Sequence, residues 1–489
     1  MPLSGREREM TRTLSRATFL AVFLAASLGL PRPALAVPEA AADAVTEAAR
    51  RVLEARAAEA VIWGMPVVNY DLMYQAALRH GALANQIVYW SRPPNAKNQT
   101  LTPNPDTIYL MPFISTKDVG PVVVEIPPAD HGVINGSIMD CWQTALVDVG
   151  PAGVDKGKGG KYLVLPPDYK GEIPEGYIPL PSGNPSNYAL LRSVLKSGSK
   201  ADIAKAVAYA KRIKVYPLSQ AAHPAATIFV DVNDELFDSS IPYDMRFFQS
   251  LDRMIQSEPW LTRDKVMIDL LKSIGIEKGR AFLPDQATQA ALSAGIATAH
   301  AWLEARYEAG FVPAYFDGTH WSLPVSPEFM KGIMSNYAAP DSYPVDSRGT
   351  AYSFAFFSAK HLGQGQFYLI AIHDRDGHAL NGNQTYRLTV PAGVPVSQYW
   401  SVTAYNRDTH TLIREMPWAS RSSLNPGLKK NADGSVDIVF GPKAPKEGKA
   451  NWVPTDPKGQ FEAMFRFYGP EKALSEKTWH LPDIQAGVQ

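Results

Sequence analysis

Cysteine, charge of one sign and long apolar runs are all scarce in this chain of 489 residues, and each shortage excludes something. Cys141 stands alone, which rules out an intramolecular disulfide and any multi-cysteine metal or iron–sulfur site. A free cysteine inside an apolar strand reads as inert core rather than as a nucleophile. Lys plus Arg is 48 and Asp plus Glu is 48, so no basic surplus exists to grip nucleic acid and no acidic tail suggests a solvating segment. The G-x-S-x-G elbow, the phosphate-binding G-x-x-x-x-G-K-[ST], the zinc motif H-E-x-x-H and the dinucleotide fingerprint are missing as well.

The one long apolar run sits near the start. Arg6, Arg8, Arg12 and Arg16 precede Ala17–Leu30, and Ala34-Leu35-Ala36 follows. A basic region, a short apolar region and small residues at a cleavage point are the pattern of a secretory signal peptide. The run falls short of the roughly 20 residues that span a bilayer. Residues 1–36 are therefore expected to be removed after Ala36, leaving a periplasmic or secreted chain with no transmembrane segment. The arginines are not adjacent, which favours the general secretory route over the twin-arginine one.

What is abundant is proline, at 40 residues, about one and a half times the usual ~5%. Proline breaks helix interiors and sits at strand edges and turns, so the expected fold is mainly β with helical additions. Residues 37–105 read as a helical segment and a proline-rich loop. Residues 106–198 read as a first antiparallel β-sandwich, from short apolar runs between turn signals. Residues 199–312 read as a helical segment, with Asp285 capping and Gly310 ending its longest helix. Residues 313–352 read as an irregular linker, and 353–489 as a second sandwich. The two strand-rich regions echo each other. Val123–Pro127 resembles Arg387–Pro391, Gly136–Asp140 resembles Trp400–Ala404, and Tyr162–Pro167 resembles Asp437–Pro442, in the same order. Two copies of one pattern are the expectation.

Several strings resemble known families. Asn104-Pro105-Asp106-Thr107-Ile108-Tyr109 is similar to the Asn-x-Asp-Thr-x-Tyr signature of the domain of unknown function 1254, and Gly275–Phe282 resembles a segment that follows it. Asp376–Gly382, Tyr399–Asn406, Asn451–Pro454 and Phe461–Pro470 resemble the domain of unknown function 1214. The two domains travel together in secreted bacterial proteins, so the resemblance implies paired β-sandwiches with helical additions. It implies little about function. Leu412–Ser423 departs from the family pattern, and if that loop shapes a pocket the ligand differs from that of relatives.

Candidate chemistry falls in three places. Asn104, Asp106 and Tyr109 stand at a strand entrance, where an amide, a carboxylate and a phenol can orient a polar ligand or move a proton. Turn hydrogen bonds are the competing role for Asp106. Asp140 is the second candidate acid or base, with Trp142 on its face of a strand and Cys141 on the other. The third place is the C-terminal cluster of Tyr405, Asn451, Trp452 and Arg466, suited to stacking and bidentate hydrogen bonds. Trp400 and Tyr405 fall on opposite strand faces, so one is core and the other lines a cleft. Arg466 points away from Phe465 and Phe467, a placement that ordinarily calls for a carboxylate partner. His373–His378 holds two imidazoles and two carboxylates, but its Asp-Gly step is turn chemistry and no third histidine is near, so no metal or other cofactor is expected.

Three readings remain open: binding of a small polar, aromatic or saccharide ligand in an interdomain cleft, an envelope hydrolase using Asp106 or Asp140, and a structural envelope component. The sequence does not decide whether the protein is an enzyme, nor its oligomeric state.

Overall fold

Runs such as Val122–Ile126 and Phe461–Pro470 are rich in β-branched and aromatic residues and end at proline or glycine, so they pair as strands rather than wind as helices. The computed structural model describes residues 39–323, 325–355, 359–361, 365–446 and 448–487. The expected signal segment, 1–36, lies outside them. The chain divides after Ala49, and everything below concerns the unit Arg50–Gln489.

In the first half the strands are β1 (Ile87–Tyr89), β2 (Asn98–Gln99), β3 (Ile108–Ser115), β4 (Val122–Ile126), β5 (Ile134–Asp140), β6 (Ala145–Val149), β7 (Gly160–Leu165), β8 (Tyr177–Pro181), β9 (Ser186–Ser193), β10 (Lys214–Pro217), β11 (Phe229–Asp231) and β12 (Phe237–Asp238). In the second half they are β13 (Gln366–Ala371), β14 (Tyr386–Val390), β15 (Val396–Asn406), β16 (Ser420–Ser422), β17 (Val436–Gly441), β18 (Trp452–Pro454), β19 (Phe461–Pro470) and β20 (Gln485–Ala486). The first sandwich packs a sheet of order β11-β1-β3-β9-β5-β6 on one of order β10-β4-β7-β8. Ile87, Leu110, Val124, Ile138, Val164 and Leu191 fill the space between them. The second packs β13-β19-β15-β16 on β18-β17-β14-β20, around Leu369, Leu388, Trp400, Val402, Ile438 and Phe465.

The fold is thus mainly β with helical additions, and the two sandwiches share one plan. Advancing every strand number by ten converts β3-β9-β5-β6 into β13-β19-β15-β16, and β10-β4-β7-β8 into β20-β14-β17-β18. Directions match as well. β4 and β7 are antiparallel, as are β14 and β17, while β7–β8 and β17–β18 are both parallel. The sandwiches are therefore not purely antiparallel. Each carries a parallel strand at one edge, β8 or β18, reached by a connection long enough to cross over. The three sequence echoes fall on β4 and β14, β5 and β15, and β7 and β17.

Helices cover the remaining surfaces. They are α1 (Glu39–Arg79), α2 (Lys200–Ala210), α3 (Met245–Ser257), α4 (Met267–Ser273), α5 (Gln286–Ala309), α6 (Pro327–Met334), α7 (Val345–Phe354) and α8 (Lys472–Ser475). Asp285 caps α5 by accepting from the Thr288 N–H at 2.8 Å, and Gly310 follows its last turn. Residues of α1, α3 and α5 build a third core with one face of the first sandwich. Two expectations change. Residues 313–352 are not an irregular linker, since they contain α6 and the start of α7. Ser326 caps α6 ahead of Pro327 at its first turn, a start signal for a helix too short to show periodicity. Val345–Phe354 is buried from Ser347 onward on every side, so it lacks the polar face that marks a surface helix. The segment between α1 and Asp106 also contributes to the first sandwich, because β1, just ahead of the prolines, pairs with β3. No described helix is long and apolar enough to cross a membrane.

Candidate functional site

Alternation decides which side chains leave the sandwich cores. On β9, Leu191 points into the first core and Arg192 away from it. On β19, Phe465 and Phe467 point into the second core and Arg466 away. Both arginines line a cavity of about 200 Å3 between the sandwiches. Its walls are Met111, Val149 and Leu190 from one side, Ile370 and Met464 from the other, and Phe329 and Phe354 from the helices.

Each arginine has a tyrosine directly across the ladder. Arg192 on β9 is opposite Tyr109 on β3, and Arg466 on β19 is opposite Tyr368 on β13. Arg192 is 6% exposed. Its Nε donates to the Tyr109 hydroxyl at 3.4 Å, its guanidinium lies 5.2 Å from the centre of that ring, and its two Nη atoms carry no hydrogen bond among the described residues. Arg466 is 2% exposed. It donates from Nη1 to the Thr403 hydroxyl at 3.0 Å, and from Nη2 to the Thr102 carbonyl at 2.9 Å and to the Tyr405 hydroxyl. Contrary to expectation, no carboxylate lies in ion-pair range of it, because neutral oxygens and the Tyr368 ring occupy its surroundings. The cavity is thus apolar along most of its wall and holds two buried cations with no carboxylate in ion-pair range of either among the described residues.

Asn104 ties the sandwiches together beside this cavity. Its side-chain amide donates to the Tyr399 hydroxyl at 3.0 Å and the Tyr468 hydroxyl at 2.6 Å, its oxygen accepts from the Asp106 N–H at 3.0 Å, and its own N–H donates to the Tyr109 hydroxyl at 2.9 Å. Asp106 accepts from the Ser420 hydroxyl at 2.8 Å. Burial pushes its carboxyl above the ordinary range, partly opposed by Ser420 and by Arg466 nearby. Tyr405 lies beside Arg466 and donates to the Pro103 carbonyl, whereas Trp400 is core.

The other candidates are not brought here. Ile108, two residues after Asp106, stands opposite Ser193, whereas Asp140 stands opposite Asn187 on the same strand. Six residues of strand at ~3.3 Å each put the two carboxylates on the order of 20 Å apart, beyond the reach of one paired acid and base. Asp140 accepts from the Thr144 N–H at 2.8 Å and closes a turn. Strand β5 ends at Asp140, so Trp142 lies in that turn rather than on a strand face, its ring tilted against that of Trp63 with centroids 4.7 Å apart. Asn451 bridges the backbones of Lys429 and Asp437, and Trp452 donates to the Gly441 carbonyl at 2.8 Å. None of these four lines the cavity, nor does any residue of 412–423. Asp374 accepts from the Asp376 and His378 N–H groups, both at 3.0 Å, and organises the His373–His378 turn. No cluster of three metal-ligating side chains exists among the described residues.

One feature of the wall had no sequence signal. Asp148 accepts from the Ser137 hydroxyl at 2.8 Å, the Lys360 and His361 N–H groups at 2.8 and 2.9 Å, and His361 Nδ1 at 3.0 Å. Asp148 and His361 both line the cavity.

Residues 84–217 match the family described as protein of unknown function DUF1254, and residues 365–472 match protein of unknown function DUF1214. The chain thus carries one match to each family model. DUF1254 supplies Tyr109 and Arg192, and DUF1214 supplies Tyr368 and Arg466. No curated protein matches the chain. The crystal structure of the VPA0106 protein from Vibrio parahaemolyticus is similar in fold, with 18% identity and a TM-score of 0.56 over 89% of this chain and 100% of that one. An uncharacterized protein from Burkholderia cenocepacia aligns at 12% identity with a TM-score of 0.40, over 91% of this chain and 97% of its own.

Proposed function

We propose that this protein binds a small organic anion with an apolar or aromatic body in the cavity between its sandwiches, in the periplasm or outside the cell. The observation that carries the reading is Arg192, a buried guanidinium with two unengaged Nη atoms and no carboxylate partner. Burying an unpaired charge costs several kcal/mol, and a ligand carboxylate offsets that cost through a bidentate, charge-assisted pair. The apolar walls favour an aromatic or aliphatic acid over a saccharide, whose many hydroxyls would lose their water without replacement. The signal pattern of residues 1–36 supports the location.

The test compares benzoate with benzamide, which has the same body and no charge, by thermal shift and calorimetry. Saturation at about 100 times Kd is expected to stabilise the protein by about 2.7 kcal/mol. Benzoate should do so, benzamide should not, and Arg192→Met should abolish the difference. Equal effects of acid and amide would sink the reading.

A hydrolytic reading has one observation in its favour. Asp148 orients His361 through Nδ1, and His361 Nε2 carries no hydrogen bond among the described residues. That geometry suits a general base that takes a proton from water attacking an ester and returns it to the leaving alcohol. Turnover of aromatic esters that is lost in His361→Gln would support it, and its absence in the parent protein would remove it.

A further inference from the structure

The wall of the cavity is not closed everywhere by sandwich residues. Leu323, Val325 and Met330 line it, and the same three residues line a surface groove completed by Pro327, Lys331, Met334 and Ser335. Met330 of α6, with Leu323 and Val325 just before the helix, therefore stands between the chamber that holds the two arginines and an apolar groove on the surface. Met334, at the end of that helix, is 58% exposed. Met330 and the two aliphatic residues Leu323 and Val325 form a pliable partition, since an unbranched thioether adjusts to irregular apolar shapes at little cost.

Volume sets what the chamber can hold. A cavity of about 150 Å3 holds a benzene molecule, so 200 Å3 accommodates a carboxylate with a short apolar body and not a long chain. An acid with its head on Arg192 and a longer tail has one apolar exit among these features, across Leu323, Val325 and Met330.

Resting on the anion-binding reading above, we infer that the ligand is a long-chain aliphatic carboxylate. Its head pairs with Arg192 in the chamber, and its tail crosses the α6 partition and lies in the groove of Met330 and Met334. The groove is the tail's seat.

Calorimetry of the whole protein with hexanoate, octanoate, decanoate and dodecanoate, each kept below its micellar range, tests this. Every methylene buried is expected to tighten binding about fourfold, so affinity should keep rising from octanoate to dodecanoate. Met334→Asp, which alters the groove and not the chamber wall, should flatten that rise while leaving hexanoate unchanged, and Met334→Gln serves as a second variant should the first fold poorly. A plateau at octanoate, with hexanoate still dependent on Arg192, would overturn the long-chain inference and leave anion binding standing. Dodecanol binding as tightly as dodecanoate, or no acid binding at all, would overturn both.

Discussion

Arg192 and Arg466 occupy one position of a repeated fold. Each lies on the strand that follows the parallel edge pair of its sandwich, between the first and third strands of the repeat. Arg192 stands opposite Tyr109 on one side and Asn135 on the other, and Arg466 opposite Tyr368 and Ser401. The cavity is therefore built from one tyrosine–arginine pair of each copy. The copies have diverged in what they leave free. Arg466 is engaged by Thr403, Thr102 and Tyr405, whereas the two Nη atoms of Arg192 carry no hydrogen bond among the described residues.

Removing that free charge should separate stability from binding. Arg192→Met keeps the length of the side chain and deletes a buried cation that has no protein counter-ion. Replacing buried charge by an apolar side chain of similar volume is neutral or stabilising by about 1–4 kcal/mol. The ligand-free variant is expected to melt no lower than the parent in a calorimetric scan and to lose carboxylate binding. A drop of several degrees would show that Arg192 holds the fold together instead.

Asp106→Asn discriminates between binding and acid/base chemistry. The amide oxygen still accepts from Ser420, and the carboxyl it replaces already resists ionisation because it is buried. Carboxylate affinity is expected to change less than threefold and stability by less than about 1 kcal/mol. Catalysis by Asp106 would instead appear as an ester-hydrolysing activity lost in this variant with the melting temperature unchanged.

Asn104 is the structural link. Asn104→Ala leaves the Tyr399 and Tyr468 hydroxyls and the Asp106 N–H without their buried partner. At ~1–3 kcal/mol for each group so stranded, a loss of about 3 kcal/mol is expected in urea unfolding. A loss under 1 kcal/mol would mean that water or a shifted tyrosine replaces the amide.

The repeat was legible because strands ending in proline kept their order, and three of the eight matched strand pairs were visible as local echoes. Carrying the comparison to the last long strand would have found the site. Leu190-Leu191-Arg192-Ser193 stands where Met464-Phe465-Arg466-Phe467 does, and only the second arginine drew notice, because aromatic neighbours mark it. Asn104, Tyr109, Tyr405 and Arg466 do meet at the cavity or beside it. Asn451 and Trp452 lie elsewhere because their polar atoms serve backbone groups of the second sandwich, a demand that sequence does not display. Helix α7 was hidden for a related reason, since a segment buried on all sides has no periodicity to read.

The last prediction concerns pH. His410, 3% exposed, lies between Glu462, which is fully buried, and Glu304. Burial alone would lower its pKa, but Glu462 and Glu304 outweigh it and hold the imidazole up to about 9. For Glu304 burial favours the neutral form, and His410 with Arg407 outweighs it, bringing the carboxyl down to about 2. The signs follow from linkage. His410 is raised in the folded state, so its stabilisation is fully present below the unfolded value of about 6.5 and is lost as pH rises through about 9. Glu304 is lowered, so its stabilisation is present above its unfolded value of about 4.5 and is lost as pH falls through about 2. Both contributions are whole between about pH 4.5 and 6.5. Urea unfolding between pH 6 and 9.5 should lose on the order of 3 kcal/mol from His410. In His410→Gln, which cannot take up the proton, that slope should flatten and overall stability should fall. An unchanged slope in the variant would assign the alkaline loss to other groups.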